Sequence, residues 1–573
     1  MRIDRIVRGG SRILLTGAVL LASGVAAQTP PVPGAGDILR EQQLKPPSAP
    51  TTAPGLQLEA PPRPALKSLP GLRLRVNGFR ISGNTLIPEQ ELLPLLKSYV
   101  DRELDLAQLE QAAQAVTLYY RGKGFFLAQA YLPEQTVKGG VVEIAVLEGR
   151  LGEIRINRAP GVRVQESLAR GIIERSSPPG DVVTQAAIER GLLLLNDLPG
   201  TAVEGALEAG TAVGTTDLTV DLSAVRVFSG YAAVDNYGSR FSGENRLSTN
   251  VAIANALGIG DQLSVGGSVA TASLLQSASV AYSLPVNYSG TRLGVGYSSL
   301  NYRLGQQFAP LLARGSADVG SANVQHPFIR SRTLNLYGRL GYERKLLQDR
   351  QEATAFVNDR VITNWSAGLS TDGRDSFWGG GLNYGGLVFT RGDVRLDTPA
   401  IAAADASPGG RGISGGSTVT TFMASRAQAV RGPLSAYAAI RGQLASKNLD
   451  SAEKFSLGGP FGVRAYPASE AAADEGYVVN AELRYDITAA GQRNSLTVAG
   501  FYDYGEARLN RNPLPTDVGN TTHRAGYGVG VNWSRAGVFA IRSSLAWRSS
   551  ESSTADPTGD RRPRLFVQAV TYF

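Results

Sequence analysis

The final ten residues, Arg564-Leu-Phe-Val-Gln-Ala-Val-Thr-Tyr-Phe573, read as an amphipathic strand that ends on an aromatic ring. At a period of two, Leu565, Val567, Ala569, Thr571 and Phe573 share one face. Such a stripe suits a lipid-facing strand whose last ring sits at the membrane interface, which points to a bacterial outer-membrane β-barrel. A single strand of this kind is weak evidence, so the pattern has to recur upstream. Working back from it, period-two alternation marks stretches near 227–238, 246–257, 261–270, 274–285, 291–303, 316–328, 333–345, 359–370, 378–390, 417–429, 434–445, 476–487, 495–507, 524–534, 537–547 and 564–573. Sixteen is an even number, as closure of such barrels requires, and sixteen strands enclose a lumen wide enough for water.

Composition agrees with this reading: 67 Gly, 21 Tyr and 17 Phe stand against 4 Trp, 2 Met and 2 His. Ile13 to Ala22 is the only long apolar stretch, too short to span a bilayer as a helix. Behind Arg2, Arg5, Arg8 and Arg12 and ahead of Val25-Ala-Ala27, it reads as a signal peptide over 1–27, cut after Ala27. The absence of cysteine excludes disulfides, thiolate metal sites, a lipoprotein anchor and a cysteine nucleophile. Of the formal charge of +8, the signal peptide carries +3, leaving +5 without any concentrated basic run, so no nucleic-acid partner is expected.

Residues 28–71 are rich in Pro, Ala and Gly and read as an extended linker. One island, Asp37-Ile-Leu-Arg-Glu-Gln-Gln-Leu44, has helix formers behind an acidic start and apolar Ile38, Leu39 and Leu44, and predicts a short helix on a tether. Two α+β units of similar order follow, at 72–150 and 151–225. The first runs from the alternating Leu74 to Gly83 through a helix from Pro88 and a second helix from Asp105 to Arg121, with apolar residues at 106, 109, 112, 113, 116 and 120. Strands over Phe126 to Thr136 and Val141 to Leu151 complete it. The second unit repeats that order: a strand over Ile154 to Asn157, helices over Val164 to Glu174 and Val182 to Asn196, then strands Ala202 to Leu207 and Asp217 to Ser223. One-sided sheets of this kind are expected to leave edges free. With the segment Tyr119-Tyr-Arg-Gly-Lys-Gly-Phe-Phe126, the pair resembles the polypeptide-transport-associated (POTRA) domains of outer-membrane protein transporters.

After the eleventh strand comes the long connection Phe455-Ser-Leu-Gly-Gly-Pro-Phe-Gly-Val-Arg-Ala-Tyr-Pro467. Its glycines allow a tight fold, and a lone Arg464 at its tip would be costly in a lumen unless a carboxylate met it. Two strands later, Phe501-Tyr-Asp-Tyr-Gly505 puts Phe501, Asp503 and Gly505 on one face; with Tyr502 and Tyr504 toward lipid, Asp503 faces the lumen. The spacing predicts a clamp between Arg464 and Asp503.

Gly462-Val-Arg-Ala-Tyr466 resembles the Val-Arg-Gly-Tyr loop motif, and Phe-x-Asp-x-Gly its wall partner, of the TpsB transporters of two-partner secretion, most nearly the ShlB/FhaC/HecB type. Asp235-Asn-Tyr-Gly-Ser-Arg240, two POTRA domains and sixteen strands are similar to that family as well, and the resemblance covers nearly the whole mature chain. One residue departs from it: Ala465 stands where the family has Gly, and its methyl restricts positive φ, so a slightly different turn is expected at the tip. The resemblance implies an outer-membrane pore, monomeric, that captures an unfolded secreted exoprotein (TpsA) in the periplasm and passes it to the surface without ATP. It implies that Asp37 to Leu44 plugs the resting pore, that the first POTRA domain offers a substrate surface around Leu106, Leu109, Tyr120, Phe126 and Leu132, and that the barrel assembly machinery, periplasmic chaperones and outer-membrane lipid are partners. An insertase for other outer-membrane proteins shares the loop motif and is the alternative. His326 and His523 lack a third ligand and no Gly-x-Ser-x-Gly elbow is present, so neither metal, cofactor nor enzymatic activity is expected.

Overall fold

A computed structural model describes residues 32–43, 73–488, 492–517, 519–555 and 560–573. The signal peptide, most of the linker and Leu44 lie outside the described residues. The first element is helix α1 (Ala35–Gln43), one residue short of the expected end.

The first α+β domain contains β1 (Leu74–Val76), β2 (Gly78–Ser82), α2 (Glu89–Leu92), β3 (Arg102–Leu104), α3 (Leu106–Gly122), β4 (Gln129–Tyr131) and β5 (Val141–Leu147). Its sheet order is β2-β5-β4, with β2 parallel to β5, while β1 and β3 form a separate ribbon. Asp105 and Gln108 cap α3 reciprocally, which fixes the start of the helix. Pro94 follows α2 and the chain continues as a 3-10 turn over Leu93–Tyr99. The strand expected from Phe126 to Thr136 shrinks to the three residues of β4, and the one expected from Val141 to Leu151 divides at Gly149, whose φ of +74° turns the chain into the second domain.

That domain contains β6 (Arg150–Arg158), α4 (Glu166–Ser176), α5 (Gln185–Asn196), β7 (Thr201–Ala209) and β8 (Thr215–Ala224), with sheet order β6-β8-β7 and β6 parallel to β8. It repeats the topology of the first. Leu192, Leu194 and Leu195 of α5 join Leu218, Val220 and Leu222 of β8 in its core.

Sixteen strands then form a closed antiparallel barrel. They are β9 (Phe228–Asp235), β10 (Arg246–Ala254), β11 (Gln262–Ala270), β12 (Leu275–Pro285), β13 (Arg292–Arg303), β14 (Ala313–Arg330), β15 (Leu334–Gln351) and β16 (Phe356–Asp375). The second half is β17 (Gly381–Leu396), β18 (Gly415–Arg431), β19 (Leu434–Ala445), β20 (Glu475–Asp486), β21 (Asn494–Arg508), β22 (Thr521–Arg535), β23 (Phe539–Arg548) and β24 (Arg564–Tyr572), and α6 (Pro399–Ala406) lies between β17 and β18. Every stretch read from alternation is a strand. The barrel closes where β24 pairs with β9, from Gln568 opposite Asp235 to Tyr572 opposite Tyr231. Phe573 adds a final rung, exchanging backbone bonds of 3.0 and 3.1 Å with Gly230, and its ring rests where Gly230 has no side chain.

The two ends of the barrel differ. One carries short turns and the α+β domains, and the other carries the long loops. At the turn end, the second domain is fastened to the wall: Arg330 forms a bidentate pair with Asp197 at 2.7 Å per contact, Arg332 meets Glu189 at 2.8 Å, and Arg190 donates to the Pro327 carbonyl at 2.8 Å. Strands β14 to β18 are 16 to 20 residues long, well beyond the roughly 9–11 that a tilted strand needs to cross a bilayer, so this wall projects past the lipid.

Candidate functional site in the barrel lumen

Between β19 and β20 the long loop folds back into the barrel. Gly459, with φ of +97°, makes its sharp turn, and Leu457 and Val463 are fully buried beneath the tip. A side chain on Gly462 would strike the Leu457 and Gly458 carbonyls, so the close backbone approach requires glycine there. At the tip, Arg464 reaches the wall. Its backbone N–H and Nε donate to Asp503 Oδ2 at 3.0 and 2.8 Å, and Nη2 donates to Oδ1 at 2.7 Å. Nη1 donates to Glu482 at 2.7 Å, and the guanidinium carbon lies 3.5 Å from the centre of the Phe501 ring. Asn480 ties the two partners together, donating to Asp503 at 2.7 Å and to the Gly462 carbonyl at 2.9 Å. Asp503 is fully buried and Gly505 packs under Leu457.

Sequence reasoning supplied Arg464, Phe501 and Asp503 but missed Glu482 and Asn480. The signal was present: alternation in β20 puts Asn480, Glu482 and Arg484 on one face, three polar groups in a row that lipid would not tolerate. Ala465 keeps an ordinary negative φ, so the turn needs no glycine there. Its methyl fits because Gly526 faces it: a Cβ on Gly526 would lie 2.6 Å away. Tyr466, fully buried, donates to the Glu551 carbonyl at 2.6 Å and binds the loop to the last connection of the barrel. The same connection is held again where Arg524 and Ser553 converge on the buried Glu470, at 2.7 and 2.6 Å.

Helix α1 occupies the lumen beside this loop. Ala35, Ile38 and Leu39 pack against Leu300, Tyr302, Leu347 and Ile362 of the wall and Ala452 of the loop. The Ala35 N–H donates to Asp349 at 2.7 Å, and Asp349 also accepts from Tyr302 at 2.5 Å and Arg360 at 2.6 Å. Arg360 is shared with Asp450 at 2.7 Å. A side chain on Gly36 would collide with Ser451 and with the Ala452 nitrogen, so helix and loop root touch backbone to backbone. Asp37 accepts from the Gly34 N–H at 3.1 Å and from Arg40 at 3.0 Å, which caps the helix. Two turns of helix are marginal alone in water, so the seat supplies their stability.

The expected substrate surface of the first domain needs correction. Leu109 and Tyr120 belong to its core, Leu106 and Leu132 are half-buried, and Phe126 packs against the core of the second domain. Tyr120 donates to Glu148 at 3.1 Å, and burial together with that carboxylate pushes its phenol up. The edge of β4 is also closed, since the Ala130 N–H donates to the Thr117 hydroxyl at 2.9 Å, and β2 is blunted where the Ile81 N–H donates to Glu89. Among the described residues, β7 is the long edge strand whose amides meet no side-chain acceptor.

The haemolysin secretion/activation protein family, ShlB/FhaC/HecB, matches residues 214–533, and the ShlB-type POTRA domain matches residues 74–149. Over 472 residues the chain is 28% identical to the heme/hemopexin transporter protein HuxB of Haemophilus influenzae strain Rd, covering 81% of each chain. It is 27% identical over 194 residues to the outer membrane transporter CdiB of Dickeya dadantii, 34% of each. In fold it is similar to CdiB from Escherichia coli, with a TM-score of 0.70 at 20% identity over 89% of this chain and 93% of that one. By these matches and by its closed sixteen-stranded barrel, the chain belongs to the ShlB/FhaC/HecB family of TpsB outer-membrane transporters.

Proposed function

We propose that this transporter receives an unfolded exoprotein in the periplasm and conducts it to the cell surface, with the α+β domains and turns in the periplasm and the loop end outside. The observation that carries the reading is how the lumen is filled. It is occluded by α1 and the long loop, two chain segments, instead of by side chains of the wall, and among the described residues the polar contacts that hold α1 are few: the Ala35 N–H to Asp349, Arg40 to the Ser451 carbonyl and a backbone bond from Ser239 to Glu41. A stopper of that kind can leave and the pore can then pass an extended chain. Relatives named as transporters, of heme/hemopexin in one case, support a secreted partner of the TpsA type. Capture by strand addition falls to β7, whose nine residues can pair with an extended segment and leave alternate side chains to set specificity. With no nucleotide available outside the cytoplasm, folding of the passenger at the surface supplies the direction. The unit is read as a monomer, inserted with the help of the barrel assembly machinery and periplasmic chaperones.

The test is co-expression with a secreted protein encoded beside it, reading surface delivery in intact cells, together with calorimetry of segment 73–225 against the passenger's N-terminal region. Unfolded passenger binding more tightly than folded passenger is the expected result. Equal or tighter binding of the folded form overturns capture by strand addition.

A further inference from the structure

On the outer face of β15 to β17 charge appears where the exterior of a barrel should turn from apolar to aqueous. Tyr342 and Trp365 are register partners with rings 4.7 Å apart; Trp365 is 63% exposed, and Leu340, Leu369 and Phe389 beside and below them are exposed as well. Aromatic pairs of this kind mark the interface level of a membrane barrel. The next outward positions toward the loop end are arginines. Arg344 stands one outward step beyond Tyr342, Arg391 is the register partner of Trp365, and Arg395 lies two outward steps beyond Arg391.

All three are exposed, and their partners differ. Arg395 is held by Asp397 at 2.6 and 3.1 Å. Arg391 donates only to the Thr418 hydroxyl, at 3.2 Å. Among the described residues, neither Arg391 nor Arg344 forms an ion pair. Asp393, on the same face between Arg391 and Arg395, and Asp397, which feels Arg344 as well as Arg395, offset part of the charge. Arg344 and Arg391 are two strands apart, about 10 Å, and one outward step apart along them, both on the outer face.

We propose that this patch binds a phosphorylated glycolipid of the outer leaflet, with its phosphate on Arg344 and Arg391 and its acyl chains against Leu340, Leu369, Trp365 and Phe389. The cations are guanidinium groups, whose planar fork matches phosphate oxygens two at a time. The apolar exposed residues continue directly beneath them, so one ligand satisfies both halves only if it carries anionic head and acyl chains together. The inference rests on the orientation given above, with the loop end outside.

The test uses the full chain in phosphatidylcholine nanodiscs, titrated with diphosphoryl lipid A, dephosphorylated lipid A, phosphatidylglycerol and inorganic phosphate, reading bound lipid by native mass spectrometry. Diphosphoryl lipid A should bind, and the Arg344→Gln/Arg391→Gln variant should lose about tenfold in affinity while keeping the heat-modifiable mobility of a folded barrel. Loss of the phosphates from the lipid should have the same effect in the unaltered chain. Undiminished binding by the variant, equal binding of dephosphorylated lipid A or phosphatidylglycerol, or no binding at all overturns the proposal. Ala353→Cys, in a chain without cysteine of its own, separates the two readings: labelling by an impermeant maleimide in whole cells reports the orientation independently of any lipid.

Discussion

The long loop and helix α1 share one lumen, yet the loop tip and the helix are held by opposite means. Arg464 reaches two carboxylates and a ring, Asn480 ties one of those carboxylates to the Gly462 carbonyl, and both ends of its loop run into the wall. Removing it strands a fully buried Asp503 without a counter-charge. Helix α1 instead lends one N–H to Asp349 and the Arg40 guanidinium to the Ser451 carbonyl, and accepts a backbone bond from Ser239 on Glu41. When it leaves, the one buried wall charge it touches, Asp349, still has Tyr302 and Arg360, and the groups it frees are backbone. What distinguishes a strut from a stopper is therefore the state left behind: deleting one partner of a buried pair costs about 3–5 kcal/mol, whereas losing a shared acceptor contact costs about 1 kcal/mol.

The largest expected effect follows from that difference. Arg464→Ala should abolish passenger export while the barrel still inserts, because the lost contacts lie in the lumen and none faces lipid. Asp503→Asn should act similarly. Fractionation with immunoblotting of passenger and barrel measures both. Normal export by a correctly inserted Arg464→Ala chain would show that the loop is not a strut.

Next in size is the stopper. Deleting 37–44, or substituting Gly36→Val to drive the helix off Ser451 and Ala452, should raise single-channel conductance in planar bilayers and leave export in place. Unchanged conductance in both would mean that α1 does not close the pore. Glu482→Gln should be milder than either aspartate or arginine change, lowering export only in part. Glu482 shares its charge between Arg464 and Arg484, and Arg464 keeps its bidentate bond to Asp503. Complete loss of export in this variant would shift the weight of the strut from Asp503 to Glu482.

Barrel and strut were legible in the sequence for a common reason: period-two alternation reports which way a side chain faces, and a lumen charge on a strand face demands a partner. The same logic would have found Glu482. It could not have found the seat of α1, because Asp349, Arg360 and Ser451 come together only through the register of β15 against β16 and the path of a loop a hundred residues later. The substrate surface was misread for a clear physical cause. Apolar residues at 106, 109, 112, 113, 116 and 120 reveal a helix only because that stripe is buried, so the residues that identify α3 are the ones least able to meet a partner. Edges are equally hidden from sequence, since whether Thr117 closes β4 depends on how the helix lies across the sheet.

The smallest effect lies at Ala465 and tests how closely the strut is fitted. The position takes alanine because its φ is negative and because Gly526 opposite leaves room for the methyl. Ala465→Gly alone should cost about 0.5–1 kcal/mol, through added freedom of the unfolded loop and a small void, and export should be nearly unchanged. Gly526→Ala alone brings two methyl carbons to 2.6 Å, which must be relieved by moving the loop or β22, at about 1–3 kcal/mol. Combining the two exchanges the methyl from loop to wall and should recover most of that loss. Thermal denaturation of the three variants in detergent measures the coupling. Additive losses in the double variant would mean that the tip is not in contact with β22 when the barrel is in its membrane, and would leave Arg464 alone to locate the loop.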